Sequence, residues 1–252
     1  MKLSFAIRCI IALIILLNYV DFYAQNQFNA PYIFSHQLMK SNDNQIASFE
    51  LSCIGEYDLA LKEWDRSESK QLDLTPKEIA DFSKYKAKNP IQYISDKAKN
   101  EQIIIVNEAH YQPYHRVFTT LLLKNLYEAG FRFLCIETLS YEDTALNNRK
   151  YPLIYTGGYS KEPCFGNLIR EALNIGFKLV PYEDTKNLGF DSLGNNLREI
   201  EEARNIKSIL DKDPKAKILI YCGFGHLKET PLKQWGKAMA GRLIEYTAIN
   251  PL

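Results

Sequence analysis

The stretch IIIVNEAHYQPYHR, residues 103–116, ends an apolar run with a carboxylate and two imidazoles. Glu108 and His110 are two residues apart, and His115 follows five residues after His110. A carboxylate that accepts a hydrogen bond from an imidazole fixes the ring tautomer, so that the other ring nitrogen can act as a base or a metal ligand. The spacing therefore indicates either a reaction centre or the polar end of a buried strand.

Ionisable side chains follow three other apolar runs of strand length. The four runs, each with the group that follows it, are residues 102–107 with Glu108, 131–136 with Glu137, 177–182 with Glu183, and 216–223 with His226. The runs are continuous rather than alternating, as in strands covered on both faces. Parallel strands end at one edge of a sheet, and ligands bind outside that edge. We therefore expect these groups in one cleft, and the two glycines of GFGH are expected to let the backbone turn sharply before His226.

The patterns between these runs are helical. The segment after His115 ends at Gly130 and NLIREALNIG ends at Gly176, and glycine is typical just after a helix. A last helix is expected near residues 232–242, followed by an edge strand in LIEYTAI. The alternation of strands and helices predicts an α/β fold, a mainly parallel β-sheet flanked by helices. LREIEEARNIKSIL is amphipathic, and its predicted buried side comprises Leu197, Ile200, Ala203, Ile206, Ile209 and Leu210.

The length favours one domain with an extension. We expect a signal peptide at residues 1–24 and a single α/β domain at residues 25–252. Residues 25–100 are predicted to be an N-terminal helical extension that covers the sheet, and LTPKEIADFSKY within it has the sequence of a capping box. Residues 101–252 are predicted to form the sheet core that carries the site.

The first residues resemble a secretory signal in composition. Lys2 and Arg8 precede an apolar run, residues 9–17, that is too short to span a membrane comfortably. Cleavage after Ala24 would release a periplasmic or secreted protein without a stable membrane span. An uncleaved N-terminal anchor is the alternative interpretation.

The composition limits the classes of partner. Hydrophobic residues make up 46% of the chain and charged residues 24%, with a net charge of +1, so no long-range field favours nucleic acid. The sequence has no GxSxG, GxxxxGK[ST] or HExxH motif. Export permits disulfides, but Cys135 and Cys222 lie in strand-like runs where a free buried thiol is expected. The pairing of these cysteines and of Cys53 and Cys164 stays open.

Four short motifs occur in an order that resembles a known superfamily: the erythromycin-esterase-like, ChaN-like haem-uptake and Tiki/TraB-like proteins. Its signature begins with a strand and Gly-Glu-x-His, to which VNEAH is similar with Asn107 in the Gly position. FLCIETL, REIEEARNI and GFGHL resemble its second strand, its Arg-(Asp/Glu)-x-x-x-Ala-x-Asn-Ile helix and its closing Gly-x-Gly-His-Leu. The resemblance covers residues 90–230. The matching residues are Glu108, His110, Glu137, Arg198 to Ile206, Gly223, Gly225, His226 and Leu227.

The resemblance to erythromycin-esterase-like members implies a hydrolase that needs no cofactor and acts on a small-molecule ester or amide. A histidine would activate water in such an enzyme. The catalytic residues would be His110 as the base, Glu108 and Glu137 as the groups that orient it, Arg198 and His226 as stabilisers of the oxyanion, and Glu183 as a wall of the cleft.

The same resemblance implies two alternatives from a different class. Tiki-like members imply a metallopeptidase, and ChaN-like members imply haem binding without catalysis. His115 with His110 or His226 would supply the axial ligands of haem. If a divalent metal is bound, its ligands would be Glu108, His110, Glu137 and His226.

Overall fold

The computed structural model describes residues 43–67, 73–183, 192–231 and 236–252. The predicted signal peptide therefore lies outside the described residues. Four parallel strands form one sheet in the order β1–β4–β2–β3, which confirms the predicted α/β class. The strands are β1 (Ile103–Glu108), β2 (Phe133–Ile136), β3 (Lys178–Val180) and β4 (Ile218–Gly223), each within or one residue beyond its predicted run.

The described part of the chain also contains nine helices. A 3-10 turn, Phe224–Leu227, follows β4 directly. Among the described residues, no helix combines the length and apolar character needed to cross a membrane. The helices are α1 (Asn44–Cys53), α2 (Tyr57–Ser67), α3 (Pro76–Phe82), α4 (Pro90–Ala98), α5 (Pro113–Glu128), α6 (Leu146–Arg149), α7 (Pro163–Ile175), α8 (Ser192–Lys212) and α9 (Met239–Thr247).

The two faces of the sheet are covered by different helices. Side chains of α5 and α7 pack on one face, together with Leu219 and Tyr221 of β4. Side chains of α8 and α9 pack on the other face, together with Ile218 and Ile220. Successive β4 residues thus enter opposite cores, which explains why the run is apolar without alternation. Cys53, Cys135, Cys164 and Cys222 are free thiols in this arrangement.

Several predicted helix ends are confirmed. Thr75 and Glu78 form a reciprocal capping box at the start of α3. Pro113 occupies the first turn of α5, where its missing N–H has no intrahelical partner to lose. Gly176 ends α7 with a φ of 116° and Gly130 follows α5 with a φ of 100°, values that glycine adopts without strain.

The predicted edge strand in LIEYTAI is wrong. This segment is the second half of α9, in which Met239 and Leu243, four residues apart, pack against the core beside α8. Ala248 ends the helix in the left-handed conformation. The free edge of β1 is covered instead by Leu252, whose N–H donates to Ile103 O at 3.1 Å and whose carbonyl accepts from Ile105 N at 2.9 Å. Of the predicted last helix at 232–242, residues 232–235 lie outside the described residues.

Candidate functional site

The strand ends meet at one edge of the sheet, beside a cavity of about 750 Å³. His110, Glu137, Glu183, Arg198 and His226 all line it, so the structure brings together five of the six predicted catalytic residues. Glu108, the sixth, lies behind the ring of His110 and is buried. The register explains the gathering, because Glu108 pairs with Gly223 and Ile136 pairs with Tyr221 in parallel strands.

A first group of buried charges supports Glu108. We name Glu108, Arg116, Glu162 and Tyr221 the Arg116 cluster. Arg116 Nε donates to Glu108 Oε2 at 2.7 Å and Nη2 to Oε1 at 2.8 Å, while Nη1 donates to Glu162 Oε2 at 2.7 Å. Tyr221 Oη adds a hydrogen bond to Glu108 Oε2 at 2.5 Å. Burial raises the pKa of Glu108, but Arg116 and His110 outweigh it and hold that pKa below its ordinary value.

His110 is the part of this region that opens onto the cavity. Its Nδ1 lies 2.8 Å from Glu108 Oε1, and 37% of its side chain is exposed. A carboxylate partner at Nδ1 selects the neutral tautomer with the hydrogen on that nitrogen, so Nε2 carries the lone pair. The pair thus has the geometry of an oriented general base.

Gly223 makes room for this ring. A β-carbon on Gly223 would lie 2.9 Å from both Cε1 and Nε2 of His110. The residue has an ordinary extended conformation, with φ −65° and ψ 150°. The chain turns directly after it, into the 3-10 turn that carries His226, but this turn needs no glycine-specific conformation at Gly223. The close approach of His110 is what requires a glycine here.

A second group of charges surrounds His226. Its Nδ1 lies 2.9 Å from Glu199 Oε1 and 3.0 Å from Glu202 Oε2, and its Nε2 lies 3.4 Å from Glu137 Oε1. Burial lowers the pKa of His226, but the three carboxylates outweigh it and raise that pKa well above its ordinary value. We name this group the His226 cluster; it comprises Glu137, Glu183, Arg198, Glu199, Glu202 and His226.

Arg198 links the carboxylates of this cluster. Its Nη2 lies 2.7 Å from Glu183 Oε1 and 3.1 Å from Glu137 Oε1. Glu137 Oε2 accepts a hydrogen bond from Gly223 N at 2.5 Å. Burial raises the pKa of Glu137, but His226, His110 and Arg198 together lower it to about 2. Glu137 is therefore an anion at any physiological pH.

Glu183 also stabilises an unusual backbone conformation. Thr138 has a φ of 65°, which is rare for a residue other than glycine, and its N–H donates to Glu183 Oε2 at 2.9 Å. A β-carbon on Gly157 would come within 2.6 Å of Thr138 O, and Gly158 N donates to the same oxygen at 3.3 Å. The glycine pair of segment 141–165 thus allows this loop to pack against a strained residue of the cavity wall.

Aromatic side chains also line the cavity. Trp64 of α2 stacks on Tyr111 with ring centroids 4.0 Å apart, and Phe49 of α1 contacts Tyr159 at 5.1 Å. All four rings line the cavity, as does Phe224. Lys161 fastens α1 through hydrogen bonds of 2.5 and 2.7 Å to Glu50. The N-terminal helices therefore contribute aromatic side chains to a cavity that is also lined by charged residues.

The predicted metal ligands do not fit one shared ion. Both oxygens of Glu108 are engaged by Arg116, with further bonds from Tyr221 and contact with His110. Within the described ranges, one group of His, Cys, Asp or Glu has ligand atoms that all lie within 4.8 Å of one another, and it shares only His226 with the predicted set. That group is Glu199, Glu202 and His226.

His115 lies apart from the cavity lining. Its Nδ1 accepts a hydrogen bond from Ala109 N at 3.0 Å, and burial lowers its pKa. Both observations agree with the neutral ring expected at the start of a helix. The visible role of His115 is to close the turn between β1 and α5, and its haem-binding role stays a prediction.

Sequence reasoning missed the carboxylates of α8. Leu197, predicted to be buried, is 39% exposed, whereas Glu199 and Glu202 are buried with Ala203. The four-residue periodicity that assigned Ala203 and Ile206 to the core includes Glu199 and Glu202 at the same spacing. Glu199 and Glu202 fit the helical periodicity of the buried face, but they were not predicted to be buried because they are charged.

Arg116 and its partners were also missed. Arg116 begins a stripe that continues through Thr119, Leu123 and Leu126, all buried. Glu162 caps α7 by accepting from Cys164 N and Phe165 N, the usual purpose of a carboxylate before a helix. The burial of Arg116 could have been predicted from its position, because it is the first residue of the apolar face of α5.

No protein-family model matches the chain, and the comparison with curated proteins finds no match. Over 60% of its length the chain is similar to the type III effector HopBA1, at 11% identity and a TM-score of 0.46, covering 78% of that structure. Over 62% it is similar to RRSP, a MARTX toxin effector domain from Vibrio vulnificus CMCP6, at 15% identity and a TM-score of 0.46. Over 79% it is similar to a structure of bacterial protein toxins, at 16% identity and a TM-score of 0.43. The chain spans 34% and 43% of the latter two structures, and none of these similarities assigns it an activity.

Proposed function

We propose that this protein is a hydrolase in which His110 activates water to attack an ester or amide. The observation that supports it best is the pair formed by Glu108 and His110. The carboxylate is buried and fixed, while the imidazole reaches a cavity large enough for a small molecule. The sequence motifs that resemble the erythromycin-esterase-like family include both residues.

The first step would be attack by water on the carbonyl carbon. Nε2 of His110 takes a proton from the water as the new C–O bond forms, and the carbonyl electron pair moves onto oxygen. The negative charge of Glu108, 2.8 Å from Nδ1, stabilises the imidazolium that results. Arg116 holds that carboxylate in place through two hydrogen bonds.

The second step would break the bond to the leaving group. The tetrahedral oxyanion collapses to the acid, and the imidazolium of His110 returns the proton to the departing oxygen or nitrogen. Arg198 and His226, the cations that line the cavity beside His110, would stabilise the oxyanion. Glu137 and Glu183 orient Arg198 for this role through contacts of 3.1 and 2.7 Å.

The aromatic lining indicates the class of substrate. Phe49, Trp64, Tyr111 and Tyr159 line the cavity, and the centroid of the Tyr159 ring lies 4.6 Å from that of the His110 ring. Aromatic side chains bind planar and apolar groups through a large contact area. We therefore propose a substrate with a bulky apolar or aromatic part next to the scissile bond. The signal-like composition of residues 1–24 supports export, so the reaction would take place in the periplasm or outside the cell.

The test is hydrolysis of a panel of 4-nitrophenyl esters and amides with acetyl, hexanoyl and aromatic acyl groups. The wild-type protein is expected to cleave aromatic and long-chain esters fastest, and His110→Ala to lose at least about 100-fold in kcat. Tyr114→Ala, at an exposed position in the first turn of α5 and outside the cavity lining, is the matched control and should retain the wild-type rate. Equal rates in His110→Ala and the wild type would refute the proposal.

A further inference from the structure

The two nitrogens of His226 face different carboxylates. Nε2 faces the cavity side, 3.2 Å from Arg198 Nη2 and 3.4 Å from Glu137 Oε1. Nδ1 faces α8, where Glu199 Oε1 and Glu202 Oε2 lie 2.9 and 3.0 Å away. The hydrolysis proposed above uses only the cavity side, so the carboxylates on the α8 side are without a function.

The atoms on the α8 side do not complete hydrogen bonds with one another. Both oxygens of Glu202 and the Nδ1 of His226 are buried and lack any contact of hydrogen-bond geometry. Glu202 Oε1 also lies 3.0 Å from Arg198 Nε, again without that geometry. Buried polar atoms are otherwise almost always hydrogen-bonded, so these atoms point to a partner of another kind.

Their separations match the coordination shell of a metal ion. Ligand atoms bound at about 2.1 Å lie about 3 Å from each other in an octahedral shell and about 3.4 Å from each other in a tetrahedral one. The distances from His226 Nδ1 to the two carboxylate oxygens are 2.9 and 3.0 Å. A single N–H could share only a bent, three-centre hydrogen bond between both oxygens, whereas an ion in front of Nδ1 can bind all three atoms.

The charges around this point also favour a cation. Glu137, Glu183, Glu199 and Glu202 are opposed by Arg198 and His226 alone within the His226 cluster, so carboxylates outnumber cations even when His226 is protonated. Crowded carboxylates repel one another unless a proton, a metal or another cation compensates. A divalent ion would remove most of this excess.

We infer that Glu199, Glu202 and the Nδ1 of His226 bind one divalent transition-metal ion. The hydrogen on Nε2 would then face Glu137, the arrangement in which a carboxylate orients a metal-bound histidine, and Arg198 Nη2, a donor 3.2 Å from Nε2, would turn away from it. Met239 N donates to Glu199 Oε2 at 2.5 Å, which leaves Oε1 for the ion. The proposed hydrolysis needs no metal, and the ion is an addition to it that positions His226. With the ion bound, His226 would be a neutral imidazole, and Arg198 would remain the cationic side chain beside the oxyanion.

The ligand set predicts which ions bind. One imidazole nitrogen with two carboxylate oxygens suits zinc or manganese, whereas magnesium and calcium prefer oxygen ligands alone. Affinity is therefore expected to fall from Zn²⁺ to Mn²⁺ to Mg²⁺. Glu199 and His226 line the cavity, so an ion can reach the site from there.

The experiment is calorimetric titration of chelator-treated protein with Zn²⁺, followed by Mn²⁺ and Mg²⁺. The wild type is expected to bind one Zn²⁺ per chain, and Glu202→Gln to bind it at least about tenfold more weakly. Glu201→Gln is the matched control, because Glu201 is adjacent on α8 but forms an exposed ion pair with Arg204. It should retain the wild-type affinity.

Two further variants keep the result interpretable. Glu199→Gln should also lose Zn²⁺ affinity, and circular dichroism of each metal-free variant verifies its folding. Glu108→Gln should retain Zn²⁺, because its carboxylate belongs to the Arg116 cluster. Absence of Zn²⁺ binding by the wild type at micromolar protein, undiminished binding by folded Glu202→Gln or Glu199→Gln, or loss in Glu108→Gln would each overturn the inference. The titration contains no substrate, so its failure leaves the hydrolase proposal unaffected, and a failure of the ester panel leaves the metal site unaffected.

Discussion

The Arg116 cluster and the His226 cluster lie side by side at one sheet edge, and both are buried and charged. In the first, each oxygen of Glu108 has two partners, and both oxygens of Glu162 accept backbone hydrogen bonds. In the second, Glu202 has short contacts but no completed hydrogen bond. A complete network rigidifies its surroundings, whereas an incomplete one retains capacity for a ligand or a proton. From this difference we infer that the Arg116 cluster holds Glu108 in position beside His110, whereas the His226 cluster binds a ligand.

The largest effect is expected from Arg116→Met. Removing the guanidinium leaves Glu108 and Glu162 as buried anions without a cation, which costs about 3–5 kcal/mol of unfolding free energy. Urea unfolding at neutral pH measures the change. Arg204→Met removes an exposed pair with Glu201 and should cost less than about 1 kcal/mol. Similar losses in the two variants would mean that the Arg116 cluster is not a stabilising network.

Acidification should weaken the His226 cluster through Glu137. The pKa of Glu137 is lowered from 4.5 to about 2, so its contribution to stability is fully present above about pH 4.5 and is lost as the pH falls toward 2. The shift corresponds to about 3 kcal/mol. Unfolding between about pH 5 and pH 2 should show this loss in the wild type and a flatter dependence in Glu137→Gln. The same pH dependence of unfolding free energy in both proteins would contradict a stabilising role for the ion pairs of Glu137.

A matched pair of carboxylate substitutions contrasts the clusters. Glu162→Gln breaks charged hydrogen bonds with Arg116 and should cost about 2 kcal/mol. In the metal-free protein, burial raises the pKa of Glu202 to about 7, so Glu202→Gln replaces a partly ionised carboxyl that makes no hydrogen bond, and the unfolding free energy should not fall. Both are measured by urea unfolding in the presence of chelator. A larger loss for Glu202→Gln than for Glu162→Gln would reverse the assignment of the two clusters.

The smallest effect on stability is expected where the clusters meet. Gly223→Ala adds a methyl group against the ring of His110, whose side chain can shift, so the unfolding free energy should change by less than about 1 kcal/mol. The shift would move His110 away from its position beside Glu108 and lower kcat for ester hydrolysis about tenfold or more. Gly225→Ala has open space for its methyl group and should change neither quantity. Full activity of Gly223→Ala would show that catalysis does not depend on the close packing of His110 against Gly223.

The four strands and the residues at their ends were predictable because each rests on a local pattern. Buried parallel strands are continuous apolar runs, and the group that follows each run must lie at the same edge. The edge strand in LIEYTAI failed because five apolar or aromatic residues in seven fit a short strand and a helix equally well. Its packing against α8 decided the outcome, and that contact is not local in sequence.

The buried charges were less predictable for the same reason. The sequence around Arg116 does not predict its contact with Glu162, which lies 46 residues away, or the presence of the Tyr221 hydroxyl beside Glu108. The phase of α8 was set by its leucines and isoleucines, and at its N-terminal end the phase in the structure buries Glu199 and Glu202 in their place. A buried carboxylate depends on a distant partner, and helical periodicity alone gives no information about that partner.

The support that Glu108 gives to His110 can be measured as kcat for the ester that the wild type cleaves fastest. Glu108→Gln keeps the size of the side chain but removes the charge that stabilises the imidazolium of His110. We predict that kcat falls by about 100-fold or more while KM changes little, since Glu108 is buried behind the ring and does not line the cavity. An unchanged kcat in correctly folded Glu108→Gln would contradict the proposal that a carboxylate-oriented His110 is the base.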